Sequence, residues 1–103
     1  YSDLKQMGPT VEHILNTAVR AYGSQNVEEA KKVFVEEEAV DALYGQIIRR
    51  VVDEAGANPA RVASYLDVLS VGKNLERIAD HATNIAEDVV YVCTGEIVRH
   101  RKR

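Results

Sequence analysis

Apolar residues recur at spacings of three and four along nearly the whole chain, a pattern typical of amphipathic α-helices. The last such series of apolar residues, for example, begins at Val62 and continues to Val92. No segment shows the alternation of a β-strand followed by the turn residues of a hairpin. The periodicity therefore predicts an all-α protein with helices over residues 3–22, 27–55 and 59–94.

Residues that end or begin helices stand between these three stretches. Gly23 and Gly56 are natural C-terminal stops for the first and second helices. Asn26 opens a variant of the capping box at the start of the second helix. Asn58 is a good N-cap, and Pro59 suits the first position of the third helix. Each helix is thus delimited by its own sequence.

The connections between the predicted helices are short, and helices joined by short turns lie antiparallel. We therefore predict a single domain over residues 1–103, an antiparallel up-down-up three-helix bundle. Gly8-Pro9 interrupts the first helix and predicts a kink or a late start there. Residues 96–103 are rich in arginine and predict a basic tail.

Composition excludes several classes of protein. The formal net charge of −3 gives little support to nucleic-acid binding, so no nucleic-acid partner is expected. No apolar run reaches the roughly 20 residues that span a bilayer, which argues against membrane insertion. Cys93 is the single cysteine, so the chain forms no internal disulfide, as in proteins of reducing compartments.

Four acidic residues lie at related positions in the second and third helices. Glu37 and Asp41 stand four residues apart in the apolar seam, where an acid is costly unless solvated, paired or bound to a cation. Glu76 and Asp80 repeat this spacing, and the two pairs are equally far from the turn at residues 58–59. If the helices fold back there, both pairs stand at the same height and four carboxylates meet. A solvated acidic face is the alternative, because helix phase decides whether the pairs face each other.

Neighbouring carboxylates repel one another, and a bound cation removes that penalty. Ligand sets made only of oxygen suit magnesium, manganese and iron better than soft ions. Arg77 and Asn84 flank the acids and either hold carboxylates by hydrogen bonds or face water. His81 follows Asp80 and either joins a cation site or is exposed, and exposure is the prediction.

Three segments resemble those of a known family. Residues 75–87, LERIADHATNIAE, closely resemble the signature of PhoU, a family of bacterial regulators of phosphate uptake and phosphate signalling. Residues 91–96, YVCTGE, resemble the C-terminal end of that family, and VDALY at 40–44 falls where the family has similar residues. PhoU proteins contain two three-helix repeats. The resemblance implies that this chain corresponds to one repeat, the C-terminal half.

The resemblance also implies a metal site. Paired Glu/Asp-x-x-x-Asp motifs bind multinuclear iron or zinc clusters on the bundle surface in some family members. Glu76 with Asp80 matches one motif, and Glu37 with Asp41 matches the other with glutamate where aspartate is frequent. Iron or zinc is the expected metal, with manganese and magnesium as alternatives. The side chains expected to support the ligands are Arg77, His81, Asn84 and Glu87.

The function that the resemblance implies is regulatory. PhoU proteins act in the cytoplasm, where they restrain phosphate uptake. They do so through contacts with a sensor histidine kinase and with the ATPase of the phosphate ABC transporter. We therefore expect a cytoplasmic binding protein that has no catalytic residues. A homodimer is compatible with a bundle of this small size. Two alternatives stay open at this point: a metal-dependent enzyme such as a hydrolase or oxidase, and a metal-free helical interaction module.

Overall fold

The computed structural model describes residues 2–98, and these form three helices that pack together. They are α1 (Ser2–Ser24), α2 (Val27–Ala57) and α3 (Val62–Thr94), with a short 3-10 turn at Pro59–Arg61 before α3. Each helix contacts the other two, and residues 2–98 contain no strand. The predicted all-α, antiparallel up-down-up three-helix bundle is therefore confirmed. None of the three helices combines the length and apolar composition that a bilayer crossing requires.

A late start at Gly8-Pro9 was one of the two predicted outcomes for the first helix. The helix instead begins at Ser2 and continues through Pro9. A proline inside a helix removes the hydrogen bond to the carbonyl four residues earlier. Here that carbonyl belongs to Lys5, an exposed residue on the solvent side of α1, where water can replace the lost donor. The helix therefore tolerates proline at this position.

In the turn between α1 and α2, the residue that ends α1 is Gln25 and not the predicted Gly23. Gln25 has a φ of 54°, and the Asn26 N–H donates to the Ala21 carbonyl at 3.0 Å, which is the arrangement of a Schellman motif. The Asn26 side chain then accepts from the Glu29 N–H at 3.1 Å and caps α2 as predicted. A non-glycine residue in the left-handed region is strained, so tertiary contacts hold this turn.

The turn between α2 and α3 also differs from the prediction that Asn58 caps the third helix. Asn58 makes no side-chain cap hydrogen bond, and its carbonyl accepts from the Arg61 N–H at 3.0 Å. That i to i+3 bond is a 3-10 turn, so α3 proper begins at Val62. At the other end, α3 stops at Gly95, whose φ of 76° is the left-handed cap that glycine adopts without strain.

The core is aliphatic, because the chain has few aromatic residues and no tryptophan. Its fully buried hydrophobic members come from all three helices: Met7, Ile14, Ala18, Ala21, Ala30, Val33, Val40, Ile47, Ala79, Ala82 and Ala86. Alanine is frequent in this set, which lets the helices approach closely. Val98, at the start of the predicted basic tail, is partly buried and packs against the core beyond α3. Residues 99–103 of that tail lie outside the described residues.

Polar contacts align α1 with α2 along the bundle. His13 Nε2 lies 2.8 Å from Glu36 Oε2, and Arg20 Nη2 lies 3.9 Å from Glu29 Oε1. These pairs mark the side of α2 that faces α1. The hydrogen bond from Lys32 to Glu29, at 2.6 Å, lowers the pKa of Glu29 and raises the pKa of Lys32. All of these pairs are at the surface and stabilise the bundle only weakly.

Candidate carboxylate site in the α2–α3 groove

A close approach of α2 and α3 is made possible by Gly72. A Cβ atom at this position would stand 2.9 Å from Tyr44 Cε1 and 3.0 Å from Tyr44 Cδ1, which is closer than atoms pack. Only a residue without a side chain lets the tyrosine ring rest on the α3 backbone here. This contact fixes the register of the two antiparallel helices.

The register sets the heights of the four acidic residues. Asp41 lies one turn before Tyr44, and Glu76 lies one turn after Gly72. Because the helices are antiparallel, Asp41 and Glu76 stand within about 2 Å of the same height. Glu37 and Asp80 stand opposite each other one further turn along. The two acid pairs therefore occupy the same section of the bundle.

Helix phase places both pairs in the groove between α2 and α3. In α2, Asp41 is rotated by about 140° from Glu36, which contacts α1, so Asp41 lies on the side toward α3. In α3, Ile85 lines a cavity together with Val19 and Tyr22 of α1 and so marks the side toward α1. Asp80 is rotated by about 140° from Ile85, toward α2. We call the region between α2 and α3 that contains Glu37, Asp41, Glu76 and Asp80 the acidic groove.

The four carboxylates differ in burial. Glu37 is 0% exposed and Glu76 is 8% exposed, whereas Asp41 and Asp80 are half-buried. A carboxylate removed from water requires a hydrogen bond, a cation or a proton to offset its desolvation. Lys73 Nζ lies 3.3 Å from Glu76 Oε1 and supplies part of this for one of the four. Lys73 was not among the residues predicted for the site, although its position three residues before Glu76 is the usual spacing of a helical ion pair.

The acids share a groove without converging on one point. Within residues 2–98, no three side chains among histidine, cysteine, aspartate and glutamate lie close enough to hold one ion. All four donors are carboxylates, whose oxygens suit a hard or borderline cation. The four also stand at similar heights in the bundle. Loading an ion would therefore require the half-buried Asp41 and Asp80 side chains to turn toward Glu37 and Glu76.

The residues predicted to support the ligands are placed less centrally. Arg77, His81 and Asn84 are all exposed, as was expected for His81. Glu87 is half-buried and lies two turns beyond Asp80, on the α2 side of α3. It therefore extends the line of acids along the groove and does not join its centre.

Comparisons with known proteins identify the family. The chain matches the PhoU domain over residues 4–89. A phosphate-specific transport system accessory protein PhoU homolog of Zymomonas mobilis is 33% identical over 100 residues, which are 97% of this chain and 42% of that protein. The Caulobacter vibrioides homolog is 37% identical over 93 residues, 90% of this chain and 40% of that protein. No significant match to a solved structure is found.

A third relative, the Pseudomonas aeruginosa homolog, is 31% identical over 100 residues, 97% of this chain and 41% of that protein. The chain thus spans about two fifths of the length of the curated relatives that it matches. The matched region, residues 4–89, contains the acidic groove and most of all three helices. On the strength of this match, the chain belongs to the PhoU domain family.

Proposed function

We propose that this chain regulates phosphate transport and phosphate signalling as an accessory domain, acting through contacts with other proteins and not through catalysis. The observation that carries this proposal is the PhoU domain match over residues 4–89. The relatives are named accessory proteins of a phosphate-specific transport system, which supports a role beside the transporter. The partners proposed are the sensor histidine kinase and the ATPase of the phosphate transporter, and both contacts would be made in the cytoplasm.

We further propose that the acidic groove binds a multinuclear metal site with Glu37, Asp41, Glu76 and Asp80 as ligands. Iron or zinc is the first expectation, and manganese or magnesium would also suit carboxylate oxygen. Three observations support this proposal: equal height, a shared groove and the burial of Glu37 and Glu76. A cation bound there would neutralise charges that otherwise repel one another. It would also link α2 to α3 and stiffen the surface offered to a partner.

Partner binding is tested with the chain immobilised on a biosensor. We expect saturable binding of the purified phosphate transporter ATPase and of the cytoplasmic part of the sensor kinase, with dissociation constants of about 1–10 µM, as for transient contacts. An ATPase from an unrelated ABC transporter serves as the control and should not bind. Absence of binding to both proposed partners would overturn the regulatory proposal, whatever the metal content.

Metal binding is tested by elemental analysis of the purified protein and of the Glu76→Ala/Asp80→Ala variant. We expect iron or zinc in the wild-type protein and loss of most of it in the variant, because half of the ligands are removed. The Asp53→Ala/Asp67→Ala variant is the matched control: it also removes two carboxylates, both exposed and outside the groove, and should retain the metal.

Two outcomes would contradict the metal proposal. One is a wild-type protein that contains no metal after incubation with iron, zinc and manganese salts. The other is equal loss of metal in both double variants, which would indicate binding to surface charge in general. Either result would leave a metal-free helical interaction module as the function of the chain, provided that partner binding is found.

A further inference from the structure

A lysine contacts one of the buried carboxylates of the acidic groove. Lys73 Nζ lies 3.3 Å from Glu76 Oε1, and the ammonium donates a hydrogen bond to this oxygen. The Lys73 side chain is 50% exposed, whereas Glu76 is buried. One partner of the ion pair is therefore at the surface, and the other is inside the groove.

The Lys73 ammonium offsets the charge of Glu76 in the way that a metal cation would. A carboxylate removed from water is stabilised by an opposite charge close to it. The lysine ammonium is a compact point charge on a flexible four-carbon stem, so it reaches the carboxylate and also leaves it easily. A metal ion bound to Glu76 would meet this ammonium at close range, and the two positive charges would repel each other.

We propose that Lys73 is a displaceable counter-ion of the acidic groove, which pairs with Glu76 until a metal ion takes its place. This inference rests on the proposed function, because it names the residue that regulates metal binding at the proposed site. Lys73 is a positioning residue and not a ligand, since an ammonium has three donors and no lone pair for a metal.

The position of Lys73 on α3 allows this exchange without movement of the helix. The preceding residue, Gly72, packs against the Tyr44 ring and holds the α3 backbone beside α2. Lys73 lies one turn before Glu76, and Asp80 lies one turn after it, within about 20° of the Lys73 direction. Glu76 can therefore pair with Lys73 or share an ion with Asp80, and both arrangements use the same side of α3.

The exchange changes which helices are linked at the groove. Lys73 and Glu76 both belong to α3, so their ion pair joins nothing to α2. The proposed ligands Glu37 and Asp41 belong to α2, so a metal ion would connect the two helices. Displacement of the ammonium thus replaces a contact within one helix by a link between two. The lysine then sets the metal concentration at which this link forms.

The strength of the competition follows from the charges. An ammonium about 6 Å from a divalent ion opposes metal binding by about tenfold, even at the dielectric constant of water. Breaking a partly exposed ion pair adds a factor of up to about five. Removal of the ammonium should therefore strengthen metal binding. It should also destabilise the chelator-treated protein, because Glu76 loses its counter-charge. A lysine with a merely structural role would produce the second effect without the first.

The test is a titration of the chelator-treated protein with Zn²⁺ in competition with a chromogenic chelator, which gives the apparent dissociation constant. We expect Lys73→Gln to bind Zn²⁺ about tenfold more tightly than the wild type. Before Zn²⁺ is added, its midpoint of thermal unfolding should be lower by about 1–5 °C. Lys73→Arg keeps the positive charge, so its dissociation constant should stay within about threefold of the wild type.

Lys32→Gln is the matched control. Lys32 Nζ lies 2.6 Å from Glu29 Oε2, again with a spacing of three residues on one helix, and Glu29 faces α1 and not the acidic groove. This variant has the same net charge as Lys73→Gln, and its dissociation constant for Zn²⁺ should stay within about twofold of the wild type.

Three results would overturn the inference, and they separate it from the proposed metal site. If the wild type binds Zn²⁺ and Lys73→Gln binds it no more tightly, the metal site stands and Lys73 does not regulate it. If Lys32→Gln gains as much affinity as Lys73→Gln, net charge and not the ion pair is the cause. If neither the wild type nor Lys73→Gln binds Zn²⁺, the metal site and the inference fail together.

Discussion

Ile14→Ala is expected to lower the free energy of unfolding by about 2–5 kcal/mol, because it removes buried methyl groups and leaves a cavity. Ile14 is 0% exposed and lies in α1, the shortest of the three helices, among core residues of the bundle. A domain of this size has only about 5–15 kcal/mol of stability in total. The substitution should therefore lower the midpoint of thermal unfolding by about 10–25 °C, measured by circular dichroism.

Val35→Ala is the matched control for this experiment. Val35 is 68% exposed on α2, so its truncation removes no buried apolar surface and leaves no cavity. Alanine also has the better helix propensity, and the free energy of unfolding should change by less than about 0.5 kcal/mol. Equal destabilisation by the two substitutions would mean that Ile14 is not packed as the structure describes.

Gly72→Val is expected to lower the free energy of unfolding by about 3 kcal/mol. Helix propensity alone predicts a small increase, because valine is a better helix former than glycine. A Cβ at this position meets the Tyr44 ring at 2.9 Å, and the two further methyl groups of valine add to the overlap. The ring lies against the backbone of a neighbouring helix, so either the ring or α3 has to move. Urea unfolding monitored by circular dichroism measures the change.

Gly45→Val provides the comparison within the same pair of helices. A Cβ at Gly45 meets only Arg49 Nη1 at 3.5 Å, an ordinary contact with the end of a flexible side chain. The unfolding free energy should then stay within about 0.5 kcal/mol of the wild type, with a slight gain from helix propensity. If both glycine substitutions were equally harmful, the close approach at Gly72 would not be what determines the cost.

Helix identity and order followed from local pattern, and the structure confirmed them. The spacing of apolar residues depends only on the pitch of the helix, and the short turns leave antiparallel packing as the simple arrangement. The errors occurred where one local signal competed with another. Gly23 and Pro9 are strong helix breakers by propensity, yet α1 continues through both. Pro9 frees a carbonyl on the solvent side, where water can replace the donor, and the left-handed Gln25 ends the helix in place of Gly23.

The candidate site was predicted in part from the sequence. The positions of the acids relative to the turn predicted their equal height, and the family resemblance named the same four residues. Burial was not predictable, since Glu37 and Asp41 have the same spacing as Glu76 and Asp80 and yet only the glutamates are buried. Spacing constrains two residues on one helix, whereas burial depends on the neighbouring helices. The ion pair from Lys73 to Glu76 was missed for a different reason, because helical spacing allows many such pairs and does not select one.

The sequence by itself determined that the chain is a three-helix bundle and to which family it belongs. It also determined that four acidic residues stand at a common height in that bundle. These properties depend on helical periodicity and on short motifs, both of which are local. The tertiary structure alone decided which acids are buried and that they do not converge on one point. Those properties depend on the rotation of each helix about its axis and on the contact of Gly72 with Tyr44. Packing between distant segments sets both, and no local spacing encodes them.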